Sequence, residues 1–248
     1  MNIPIVRGLI ERRILVNYRV DPEVLAPLLP PPFRPKIVGG FGMVGICLIR
    51  LRNVRPRRLP AWLGISSENA AHRAAVEWEE DGLMREGVFI RRRDTNSRLN
   101  SWAGGRLFPG VHHRARFTVR ESARHFEVAL RSNDGESSMS VEADLAERFP
   151  AGSLFGSLAT VSAFFQAGSL GYSPTSRSNA FQGLELCCPQ WKVEPLTVSK
   201  VESSFFGDPA VFPAGSIEFD CALLMRGIEH EWHGRPDLCC PTVEMASP

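Results

Sequence analysis

The segment GRLFPGVHHR, residues 105–114, sets two adjacent histidines and an arginine behind two glycines and a proline. Imidazole titrates near neutrality and guanidinium grips anions with a bidentate fork, so the combination suits moving a proton beside a bound carboxylate. Downstream, Ala115, Phe117 and Val119 alternate with Arg114, Arg116, Thr118 and Arg120, the period of a half-buried strand. Neighbouring strand residues point to opposite faces, so only one of His112 and His113 can face inward. A register slip of one residue exchanges them. The plainer reading is a satisfied core histidine beside a solvated one.

Other reactive groups are sparse. Of 29 basic residues only Lys36, Lys192 and Lys200 are lysines, which leaves three side chains for any amine nucleophile. IEHEWHGRPDLCC holds His230, His233, Cys239 and Cys240, which are zinc-ligand types, and His-x-x-His suits one face of a helical turn. A second spaced cysteine pair and a His-Glu-x-x-His framework are both missing, so no metal is expected there. The segment reads instead as a strand end followed by a turn at Gly234 to Pro236. Cys187 and Cys188 read as strand interior, where free cysteine acts as a small hydrophobe. The basic runs at 55–58 and 91–93 read as solvated edges that discourage sheet pairing. There is no Gly-x-Ser-x-Gly elbow, phosphate loop or dinucleotide fingerprint, and no cofactor is expected.

These residues need a scaffold, and the pattern supplies one. DPEVLAPLLPPP predicts a short helix capped by Asp21, with Val24, Leu25, Leu28 and Leu29 as its buried stripe. GFGMVGICLIRLRNV predicts a long strand, and Asp81-Gly82 a hairpin turn between two more. Three strands follow from VHHRARF to VEADL, after a short helix in TNSRLNSWAGG. GSLFGSLATVSAFFQAG predicts a second helix capped by Ser153, with Leu154, Leu158, Val161 and Phe165 near one face; the C-terminal third returns to strands. Residues 1–248 thus read as one α+β domain with a large, mainly antiparallel sheet. With 44% apolar residues the chain can build a sizeable core, and a net charge of +2 argues against a nucleic-acid partner. No stretch approaches 18 apolar residues, so no membrane span is expected; the default is a soluble, reduced, cytoplasmic protein.

Four stretches together resemble the acetoacetate decarboxylase superfamily, in its uncharacterised YqjF-like branch. They are NYRVDPEVLAPLLPPPF, ISSEN, DTNSRLNSWAGGRLFPGVHHRARF and LELCCPQWKVEPL, running from about Tyr18 to Trp191. The resemblance implies a barrel-like, cone-shaped sheet around a closed pocket. In the family's decarboxylases a pocket lysine forms a Schiff base with a β-keto acid, its amine activated by an adjacent cation; this enzyme is a standard illustration of that effect. The resemblance puts His113 on the nucleophilic lysine, Arg114 on its neighbour and Glu68 on a pocket glutamate. Imidazole forms no stable iminium with a ketone, so Schiff-base chemistry is not expected.

What the resemblance leaves is His113 and Glu68 as catalytic candidates and Arg19, Arg106 and Arg114 as groups for a small carboxylate or keto acid. Lyase- or hydrolase-type acid/base chemistry would need no more. A non-catalytic ligand-binding or sensor module, or a structural homo-oligomer, stands beside that reading. Arg19 and Glu68 could equally form a structural ion pair.

Overall fold

Runs of β-branched and apolar residues become long strands in the computed structural model, which describes residues 4–106, 108–175 and 180–239. In chain order they are β1 (Val6–Val20), the two-residue β2 (Arg34–Pro35) and β3 (Ile37–Val38), β4 (Phe41–Pro56), β5 (Ile65–Glu80) and β6 (Leu83–Thr95). Then come β7 (His112–Glu121), β8 (His125–Ser132), β9 (Ser138–Leu145), β10 (Leu170–Pro174), β11 (Ala180–Cys187), β12 (Glu194–Ser203) and β13 (Ile217–Cys239). The helices are α1 (Pro22–Leu25), α2 (Arg98–Ala103) and α3 (Leu158–Ala167).

The local signals explain most boundaries. Asp21 accepts the Glu23 amide at 2.9 Å to start α1, which tightens after one turn into a 3-10 turn over Ala26–Leu28. Asp81 and Gly82 both take left-handed φ, 53° and 73°, as a two-residue hairpin between twisted strands requires. Helix α3 starts later than its sequence suggests. Gly156 has φ 66°, which breaks the helix before it can begin at Ser153, so Ser157 caps it instead. Ser153 donates to Asp220 at 2.6 Å. The turn expected at Gly234 to Pro236 is also absent. β13 runs straight through, because β11 supplies partners for Gly234 and Arg235 and the pairing shifts register beside Pro236, where a missing N–H is tolerated.

Strand pairing closes on itself twice. β13, β1, β4, β5 and β6 form a shared arc; β7, β8, β9 and β12 return from β6 to β13 on one side, and β10 and β11 do so on the other. Only the β6–β7 and β6–β10 pairs are parallel. The result is a barrel-like, mainly antiparallel sheet with few helices.

Both faces of the shared arc are covered, which is why consecutive residues such as Ile14, Leu15 and Val16 are all fully buried. Ile14, Val16, Ile46, Leu48 and Leu224 pack with β8 and β9 in one core. Leu15, Cys47, Leu223 and Met225 pack with Val161 and Phe165 of α3 in the other. Burying the apolar side chains of these long strands contributes about 1.5–3 kcal/mol each, so the arc is the rigid frame on which any site rests. Among the described residues no helix is long and apolar enough to cross a membrane.

Candidate functional site

The residues picked out by the family resemblance lie in separate places. Arg19 pairs with Glu218 at 2.6 Å and donates to the Gly152 carbonyl at 3.2 Å. Glu68 accepts from Arg12 at 2.6 Å and from Arg50, and Glu121 closes a four-membered network with both arginines. Arg19 sits opposite Met43 on β4 and Glu68 opposite Arg50, seven residues further along, or roughly 23 Å. An Arg19–Glu68 pair is therefore not formed. His113 holds Asp134 through Nδ1 at 3.0 Å, and Arg92 holds the same carboxylate at 2.7 Å. Arg114 donates to the Asn96 carbonyl. Of the five, Arg106 alone lines a mostly apolar cavity beside α2, with its guanidinium over the Trp102 ring and a 2.6 Å bond to the Trp102 carbonyl.

That cavity, about 500 Å³, opens between β4, β5, β6 and α2. His112, not His113, faces it, because the alternation of β7 turns the two rings to opposite sides of the strand. Its neighbour across the parallel β6–β7 pairing is Arg93, which also lines the cavity. Arg93 reaches that face through an irregularity. The β5–β6 register shifts between His72 and Arg73, one extra residue enters β6, and Arg93 ends on the face opposite Phe89. Of the run 91–93 only Arg91 is exposed, so the run is not a solvated edge throughout. Arg91 lies 5.0 Å over Phe205, Arg92 binds the fully buried Asp94 at 3.0 Å, and Arg93 points inward.

Two glycines make room for this pair. Gly104 lies so close to His112 that a Cβ would collide with the imidazole. Gly110 takes φ 74° and a Cβ there would meet the Ser173 Cβ at 2.8 Å, the side chain that binds Arg93. The glycine punctuation of the segment is therefore what seats the ring and the guanidinium side by side.

The electrostatics of the pair are unbalanced. Burial pulls the Arg93 pKa down to about 10, which leaves it cationic at neutral pH. Its hydrogen bond goes to the Ser173 hydroxyl at 3.2 Å, and among the described residues no carboxylate pairs with it. Burial, with the Arg93 charge second, pulls His112 down to about 3 against an opposing bond to the Gly110 carbonyl. That bond, 3.0 Å from Nδ1, fixes the tautomer: a carbonyl only accepts, so Nδ1 carries the proton and Nε2 keeps its lone pair. Asn69 and Asn100 add amides to the lining, 3.3 Å apart and tied to the Ser67 hydroxyl. The lining includes no lysine among the described residues; Lys36 pairs with Glu86 and Lys200 with Glu202.

The histidine-cysteine segment lies along β13. His230 is 2% exposed and packs 4.4 Å from Trp232, while His233 binds Glu231 at 2.9 Å. Three residues apart on a strand, the two imidazoles face opposite ways. Cys239 is exposed and Cys240 lies outside the described residues. Among the described residues no cluster of three or more acidic, histidine or cysteine side chains is placed to hold a metal ion.

A family model described as DUF2071, uncharacterized conserved protein, matches residues 10–214. No curated protein matches the chain in sequence. Among solved structures the chain is similar to acetoacetate decarboxylase from Legionella pneumophila, at 11% identity and TM-score 0.59, covering 94% of this chain and 87% of that one. An acetoacetate decarboxylase-like enzyme from Sphingomonas wittichii RW1 matches at 11% identity and TM-score 0.60 over 98% and 95%. The enduracididine biosynthesis enzyme MppR, complexed with pyruvate, matches at 12% identity and TM-score 0.57 over 95% and 90%. At such identities the likeness establishes the acetoacetate decarboxylase-like fold.

Proposed function

Because this chain belongs to the DUF2071 family of uncharacterised conserved proteins, we propose, from its own cavity, that it binds a small carboxylate or keto acid there without forming a Schiff base. One observation carries the reading: Arg93 is a half-buried cation without a described carboxylate partner, and it lines a cavity of about 500 Å³. A charge partly withdrawn from water without a counter-ion is costly, and an incoming carboxylate would neutralise it with a charge-assisted, bidentate bond. The pyruvate complex of MppR, a protein of the same fold, supports the ligand class.

A catalytic version of the reading rests on His112. Its Nε2 lone pair makes it an acceptor, and a carboxylate held by Arg93 would cancel the positive field that adds to burial in depressing its basicity. The imidazole could then take a proton from the carbon next to the ketone, with the Arg93 charge beside the developing enolate. This is lyase-type acid/base chemistry without an amine nucleophile. His113, Glu68, Arg19 and Arg114 have no part in it, whereas Arg106 stays at the cavity mouth.

Pyruvate and acetoacetate should raise the melting temperature. At a hundredfold excess over Kd the gain is about 2.7 kcal/mol. In Arg93→Gln the response should be lost without loss of intrinsic stability. In heavy water, deuterium should enter the pyruvate methyl group in wild type and not in His112→Phe. An unchanged ligand response in Arg93→Gln sinks the binding reading; exchange that persists in His112→Phe sinks the catalytic one.

A further inference from the structure

The cavity is too large and too apolar for a three-carbon acid alone. An apolar cavity of about 150 Å³ already holds a benzene, and about 500 Å³ lies within the usual range for drug-sized ligands. Beside the polar Asn69, Asp94 and Asn100, the walls away from Arg93 and His112 carry Ile49, Leu51, Leu184 and Trp232. Apolar character continues to the mouth, where Leu99 is 52% and Trp102 57% exposed, beside Leu63 at 45%. Large side chains that line a cavity and also face water form an apolar path from the Arg93 guanidinium to the surface.

We propose that the physiological ligand is amphipathic: a keto acid or carboxylate with a medium-length aliphatic or aromatic tail. The inference rests on the binding reading above and extends it. The head meets Arg93 beside His112, the tail lies along the apolar wall, and its far end covers Leu99 and Trp102. The occupant of the apolar mouth is therefore the ligand's own tail, because wall and mouth are continuous with the site that holds its head.

Calorimetric titration with pyruvate, 2-oxohexanoate and 2-oxooctanoate tests this below micelle-forming concentrations. Each added methylene should tighten Kd about threefold or more until the cavity fills. Trp102→Ala is a change at an exposed position and should leave folding intact. It should flatten the gain for the longest acid and leave pyruvate unaffected. Equal Kd values across the series would overturn the tail and leave the carboxylate reading standing. Binding of none of the acids would overturn both. Chain-length dependence retained in full by Trp102→Ala would remove the tail from the mouth.

Discussion

Two charged sites face opposite sides of β5 and β6, and their charge balance differs. In the network of Arg12, Arg50, Glu68 and Glu121, two cations meet two anions, and Arg12 is only 2% exposed. At Arg93 the cation meets a hydroxyl and a neutral imidazole; the one nearby lining carboxylate among the described residues, Asp94, is held by Arg92. A paired buried charge has its desolvation offset within the protein, so its work is finished once the chain folds. An unpaired charge beside a cavity has an unmet interaction, and that makes it a binding group. Polar residues in a barrel-like interior are thus sorted by what they lack rather than by what they touch.

The largest expected effect strikes the balanced side. Glu68→Ala strips Arg12 of one partner and should cost about 3 kcal/mol or more in denaturant unfolding. The keto-acid melting shift should keep its size. A variant of near wild-type stability that no longer responds to ligand would reverse the assignment of the two regions.

Acidification gives the next effect. Burial, with Arg92 and Arg91 adding to it, pulls the His72 pKa to about 4, and burial with Arg13 does the same to His230. Neither ring has a hydrogen-bond partner among the described residues. In the unfolded chain both titrate near 6.5, so between about 6.5 and 4 the unfolded state binds more protons. Stability is then present in full above about 6.5 and falls as the pH drops toward 4, by about 1.4 kcal/mol per pH unit for each ring. Urea unfolding at pH 7, 6 and 5 reads the slope, and His72→Phe should make it shallower. A flat profile would show that the neutral histidines are not held as their burial implies.

The smallest effect belongs to Arg19, whose partner Glu218 has a side chain that is 67% exposed. Arg19→Lys should change stability by under about 1 kcal/mol and leave the ligand response unaltered. A weakened keto-acid response would bring Arg19 back into the site from which its position on β1 separates it.

The sequence alone determined the fold class and most of the elements, though not where α3 starts or that β13 runs through Gly234 to Pro236. Period-two alternation in β7, the Asp81-Gly82 turn and the Asp21 cap are local signals, and each acts within a few residues. The sequence also marked GRLFPGVHHR as the segment that presents a histidine inward. Which histidine does so was decided by the parallel register against β6, a long-range pairing that no local pattern encodes. Arg93 was hidden in an arginine run because one inserted residue in β6 exchanges faces, and a bulge leaves no compositional trace. Arg19, read as an anion clamp, and Glu68, read as a pocket carboxylate, found other partners once β1, β4 and β5 fixed their heights along the sheet. Tertiary structure alone decided which charges are balanced, because balance depends on distances between strands far apart in the chain.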